Sequence, residues 1–134
     1  LPRAWLRGSH DFSFSGLKTA LLRLAQSLEA PGRALPVGDL AAAFQLAVVD
    51  VLVEKTLRAA ERFGASQIVL GGGVAANLLL RETMRRRCGL PHFSARPALC
   101  TDNAAMVGAA AHQRFVRGER SSLDLDVYPN LRLG

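Results

Sequence analysis

Leu17, Leu21, Leu24 and Leu28 recur at helical spacing and predict an amphipathic helix with one apolar stripe. Ser15 stands where a hydroxyl would accept a bond from a first-turn amide, and Pro31-Gly32 ends the pattern. A longer pattern runs from Leu40 to Phe63, with Asp39 as its N-cap and Phe44, Val48, Val51 and Leu52 facing inward. Gly64 supplies a left-handed stop. Gln67-Ile68-Val69-Leu70 is short, apolar and β-branched, which predicts a buried parallel strand. Gly71-Gly72-Gly73 follows, then a third helix from about Ala75 to Arg87, stopped by Gly89. His92-Phe93-Ser94 reads as a second strand and Pro97 opens a loop. Thr101 or Asp102 caps a last helix over residues 103–117, rich in small residues (Ala104, Ala105, Gly108, Ala109) and ended by Gly118. The tail through Tyr128-Pro129-Asn130 has no period and is expected to be a surface strap.

The predicted fold class is therefore α/β and helix-rich, with a short parallel sheet. Two leading helices precede a βαβα unit with a right-handed crossover. The chain is read as one lobe: a helical segment (1–64), a βαβα segment (65–118) and a tail (119–134). Two strands make a poor sheet, so further strands are expected upstream.

A hydrophobic fraction of 49% in 134 residues fits one folded domain. The first residue is Leu1, and residues 1–10 carry no apolar run, so the chain is expected to be a fragment of a longer protein without a signal peptide. No segment approaches the ~20 apolar residues of a membrane span, and a soluble, cytoplasmic protein is expected. Cys88 and Cys100 match no zinc spacing and are read as reduced thiols. The net charge of +6 comes from arginine, since Lys18 and Lys55 are the only lysines. A basic surface attracts tRNA or nucleotides, although a GC-rich genome also yields an Arg- and Ala-rich composition.

Three stretches can carry chemistry. In residues 68–77 a strand runs into Gly71-Gly72-Gly73 and then a helix start, which suits a phosphate or acyl-phosphate; it can equally be a tight turn that binds nothing. Asn77 adds an amide able to donate and accept. Residues 97–106 repeat the device, and Asp102 is either a helix cap or a carboxylate ligand for a metal. In residues 12–19, Phe12 and Phe14 read as core anchors, and Lys18 in the first helical turn hints at an anionic neighbour. His10, His92 and His112 form no His-x-x-x-His pair and support no catalytic triad. Arg81, Arg85, Arg86 and Arg87 form either a solvated face or a phosphate-backbone contact.

Together, Asp11-Phe12-Ser13-Phe14-Ser15-Gly16-Leu17-Lys18-Thr19, Gly71-Gly72-Gly73-Val74-Ala75-Ala76-Asn77 with Leu80-Arg81, and Cys100-Thr101-Asp102-Asn103-Ala104-Ala105-Met106 resemble three segments of the TsaD (Gcp) family of tRNA threonylcarbamoyladenosine transferases, in the same order. The resemblance spans about residues 1–118. It implies the C-terminal part of an actin-like ATPase lobe. It implies transfer of a threonylcarbamoyl group from an adenylate to N6 of adenosine 37 in tRNAs reading ANN codons. It further implies one divalent metal, usually iron, with Asp102 as a carboxylate ligand. Asn77 would contact the adenylate (threonylcarbamoyl-AMP or ATP), and Gly72 and Gly73 would line its pocket. The family's partners TsaB and TsaE are implied for the full protein. The family's His-x-x-x-His motif is absent from this sequence, so the chain is expected to hold one metal ligand and to be inactive alone.

Two rival readings remain at this point. Gly71-x-Gly73-x-x-Ala76 with Arg96 fits an NADP-binding fingerprint, though with too few strands. A non-catalytic helical RNA-binding domain would use the Arg81–Arg87 face.

Overall fold

A computed structural model describes residues 1–32, 34–127 and 129–130. It contains α1 (Ser15–Leu28), α2 (Val37–Arg62), β1 (Ile68–Leu70), a 3-10 turn (Gly73–Ala76), α3 (Leu78–Arg87), β2 (His92–Ser94), a second 3-10 turn (Pro97–Leu99) and α4 (Ala104–Val116). Two compact units divide the chain, Leu1–Cys100 and the residues from Thr101 onward.

In the first unit α2 is the central element. Residues two apart on a helix point to nearly opposite sides, and α2 buries both. One row holds Ala47, Val51 and Lys55; the other holds Val49, Val53 and Ala60. The second row packs against Ile68, Leu80 and Met84 to form the core. The first row lies on the side where Arg3 donates to Asp50 from Nε at 2.9 Å and Lys55 donates to the carbonyls of Leu6 and Asp11. The single inward stripe expected from the sequence is thus incomplete: Phe44, Val48 and Leu52 are half-buried, while residues between them are deepest. One-dimensional periodicity resolves one buried face, and α2 has two.

Helix starts depart from expectation as well. Ser15 and Asp39 are not caps; Phe14 and Pro36 occupy those positions without side-chain cap bonds, and Asp39 sits in the first turn. There its carboxylate still favours the helix N-terminus through the dipole. In α1 only Leu17 is fully buried, while Leu24 and Leu22 reach solvent. Phe12 is 46% exposed and stacks on Phe14 rather than entering the core. Lys18 is exposed and makes no ion pair among the described residues. Gly64 does end α2, with φ +61 and the Ala65 amide closing on Ala60 O at 2.9 Å.

β1 and β2 pair in parallel, Ile68 opposite His92 and Leu70 opposite Ser94. Helix α3 connects them and packs on α2. β1 is covered on one face only, since Ile68 is buried but Val69 is 68% exposed, so the strand is not enclosed on both faces as predicted.

In the second unit no residue of α4 is buried. Gly118, at φ +82, turns the chain so that Glu119 meets Arg114 at 2.7 Å and Arg120 stacks on Phe115 at 4.0 Å. Tyr128, part of the predicted strap, lies outside the described residues.

Candidate functional site

The glycine run leaves β1 and forms an exposed turn before α3. Gly72 has φ +82 and ψ 170, a conformation essentially reserved for glycine. Gly71 and Gly73 are different. Their φ values are ordinary, and a Cβ on either would meet no atom within 4 Å. Packing inside this chain therefore does not require glycine at Gly71 or Gly73. The same open space surrounds every other glycine among the described residues, from Gly8 to Gly118. The amides of Gly73 and Val74 make no backbone hydrogen bond among the described residues and lie in this open turn.

The helix after the glycines starts later than expected, at Leu78, because the 3-10 turn intervenes. Asn77 caps it: Oδ1 accepts from the Leu80 amide at 3.0 Å. Nδ2 has no hydrogen bond among the described residues, and the side chain is half-exposed. Asn77 thus has one end fixed and one end available as a donor.

Arg81 holds this turn. Its Nε donates to Ala75 O, and its Nη2 donates to Ala95 O at 2.5 Å and meets Cys100 Sγ at 3.1 Å. The guanidinium fork ties the glycine turn to the end of β2 and the second 3-10 turn. Arg81 is therefore not part of a free RNA-binding face. Arg85 and Arg86 reach Glu82 at 2.6 and 3.8 Å, and Arg87 reaches Glu54 at 2.5 Å. Arg85, Arg86 and Arg87 are thus paired in space, though they share two glutamates, one of them from another helix and also bound by Arg58. The hydrogen bonds of Arg87 and Arg58 hold the Glu54 carboxyl below the usual carboxylate range.

A cleft of about 430 Å³ opens beside Asn77, walled by Leu21, Phe44, Val48, Leu52 and Val74. Sequence reasoning counted Phe44, Val48 and Leu52 as core. They line this cleft because α1, α2 and the glycine turn meet only partially over them. No sequence signal separates a cleft wall from a core position here, since both are apolar and both keep the helical period.

Asp102 lies in the second unit. The cap of α4 is neither Thr101 nor Asp102. Asn103 takes that role, Oδ1 accepting from the Met106 amide at 3.0 Å while Nδ2 donates to Thr101 O. Asp102 is exposed, and its carboxylate accepts no hydrogen bond among the described residues. No group of three or more His, Cys, Asp or Glu side chains able to hold a metal gathers among the described residues. Both cysteines are free thiols, Cys100 being buried against Arg81. No helix among the described residues is long and apolar enough to cross a membrane.

Known proteins match the chain over nearly its whole length. The family model described as TsaD, tRNA N6-adenosine threonylcarbamoyltransferase, matches residues 1–109. A protein named tRNA N6-adenosine threonylcarbamoyltransferase from Dehalococcoides mccartyi is 53% identical over 131 residues, covering 98% of this chain and 39% of the relative. Proteins of the same name from Thermomicrobium roseum and Symbiobacterium thermophilum are each 50% identical, covering 99% and 100% of this chain and 42% and 40% of themselves. The chain thus spans about two-fifths of the length of the curated relatives it matches. The NADP reading loses its footing, because its glycines do not lead directly into the helix and the matching family is a different one. With its open glycine turn, its half-committed Asn77 and matches on this scale, the chain belongs to the TsaD family of tRNA N6-adenosine threonylcarbamoyltransferases.

Proposed function

We propose that this chain forms the adenylate-side wall of a transferase that moves a threonylcarbamoyl group from threonylcarbamoyl-AMP to N6 of adenosine 37 in tRNAs reading ANN codons. In that reaction the N6 nitrogen bonds to the carbamoyl carbon and loses a proton. The bond from that carbon to the phosphate oxygen breaks, and AMP leaves. The whole protein carries this activity, in an actin-like ATPase fold, and the isolated chain is inactive. Its setting is the cytoplasm, with tRNA as substrate and TsaB and TsaE as partners. ATP is an alternative occupant of the same wall.

The observation that carries the reading is the exposed glycine turn itself, where the amides of Gly73 and Val74 make no backbone hydrogen bond among the described residues and Asn77 is fixed only at Oδ1. Those amides suit the adenylate phosphate. Gly72 shapes the turn, Asn77 Nδ2 donates to the nucleoside, and the adjoining apolar cleft accepts the flat purine. Asp102 is the carboxylate we assign to a divalent metal, iron by family likeness, and its freedom from capping supports that role. One carboxylate does not hold a metal, so the described residues alone do not fit the ion.

A non-hydrolysable threonylcarbamoyl-AMP analogue tests the reading by calorimetric titration. Asn77→Asp keeps the cap oxygen but removes the donor. It should lose at least about tenfold in affinity, the value of one hydrogen bond left unmade to a bound ligand, while thermal stability is unchanged. Asp102→Ala should leave adenylate affinity intact. Equal binding by wild type and Asn77→Asp would remove the assignment.

A further inference from the structure

A second concavity lies away from the glycine turn, where residues 5–10 cross the C-terminal half of α2. Its volume is about 440 Å³, and its walls include Arg7, His10, Lys55, Arg58 and Arg62, with no carboxylate side chain among them.

Lys55 decides its character. The residue is only 5% exposed. Its ammonium donates to the main-chain carbonyls of Leu6 and Asp11, and lies 5.6 Å from the centre of the Phe12 ring. Among the described residues no carboxylate lies within ion-pair distance of it. A buried ammonium is ordinarily compensated by a counter-charge, because carbonyl dipoles replace only part of its lost hydration. Glu54 is shared by Arg58 and Arg87, and the Asp11 carboxylate accepts from Ser9 Oγ at 2.6 Å without reaching ion-pair distance of Lys55. His10 adds a buried Nε2 without a hydrogen-bond partner. Arg7 and Arg62 make no ion pair among the described residues, and Arg62 lies over the Phe63 ring at 5.7 Å.

We infer that this pocket is an oxyanion site, and that the anion it takes is a phosphodiester of the RNA backbone. An anion here supplies the counter-charge that Lys55 lacks. Exposed arginines around a buried cation suit an extended polyanion better than a single free ion. The contact positions RNA without reading its sequence. The RNA half of this inference rests on the tRNA-modifying function proposed above; the oxyanion half does not.

The full chain is titrated with inorganic phosphate, with chloride at equal ionic strength, and with a synthetic RNA hairpin. The Lys55 and His10 side-chain resonances report the pocket, and fluorescence anisotropy reports hairpin affinity against salt. Phosphate but not chloride should move both resonances, and the hairpin should compete. The double variant Arg7→Gln/Arg62→Gln changes only exposed side chains. It should weaken hairpin binding about tenfold at low salt and reduce the slope of log K against log salt by about 1–2. Lys55→Met should abolish the phosphate response if it folds, and the double variant decides the matter if it does not. Unchanged resonances, or an unchanged affinity and slope in the double variant, overturn the inference. Phosphate binding without hairpin competition overturns its RNA half. Adenylate binding at Asn77 is measured separately, so the hairpin result stands or falls independently of it.

Discussion

Replacing Arg81 by alanine should loosen the glycine turn and destabilise the first unit together. The guanidinium makes two charge-assisted bonds to main-chain oxygens, Ala75 O and Ala95 O, and a contact to Cys100 Sγ. Hydrogen bonds to charged groups contribute about 1.5–3 kcal/mol each. Arg81 is half-buried, so the lower end applies, and regained side-chain freedom offsets part of the sum. A net loss of about 2–3 kcal/mol follows. With a urea slope of about 1.5 kcal/mol/M, the unfolding midpoint should fall by about 1–2 M. Arg81→Lys should recover about half of that at most, because an ammonium does not reproduce the planar fork that spans both carbonyls. Equilibrium urea unfolding followed by far-UV circular dichroism measures both. Adenylate-analogue affinity should fall with Arg81→Ala even in the absence of denaturant, since the 3-10 turn carrying the free amides loses its anchor. A midpoint within about 0.3 M of wild type would refute the reasoning and return Arg81 to the exposed basic face.

Two more outcomes are expected. Gly72→Ala should destabilise the chain by about 1–3 kcal/mol because its φ of +82 excludes a side chain, whereas Gly73→Ala should leave stability within about 0.5 kcal/mol and still cut adenylate-analogue affinity; thermal melts paired with titrations separate the two. Glu54 has a carboxyl pKa lowered from 4.5 by Arg87 and Arg58, so its contribution to stability is fully present above that ordinary value and is lost as pH falls through the lowered one. The ion pairs are part-exposed, so Glu54→Gln should remove about 1 kcal/mol or less at neutral pH and flatten the acid limb of a urea-midpoint profile.

Much was legible from the sequence by itself. Helical periodicity, the apolar run at residues 67–70 and the glycine stops fix the order of elements, because these signals depend on neighbours along the chain. The three motif segments identify the family for the same reason. What the sequence could not decide was which polar group does which job. Asn77 and Asn103 cap their helices while Ser15, Asp39 and Asp102 do not, and neighbouring polar residues all offer the same chemistry until the first helical turn is placed. Arg81 looked like one member of a basic run, and only the approach of Ala75, Ala95 and Cys100 in space separates it from Arg85 and Arg86. Lys55 sits in an amphipathic pattern that gives no warning of burial, yet residues 1–14 cover it. Local spacing determines secondary structure because its forces act over one or two turns. Side-chain partners and cleft walls come from contacts between residues tens of positions apart, which only the folded chain brings together.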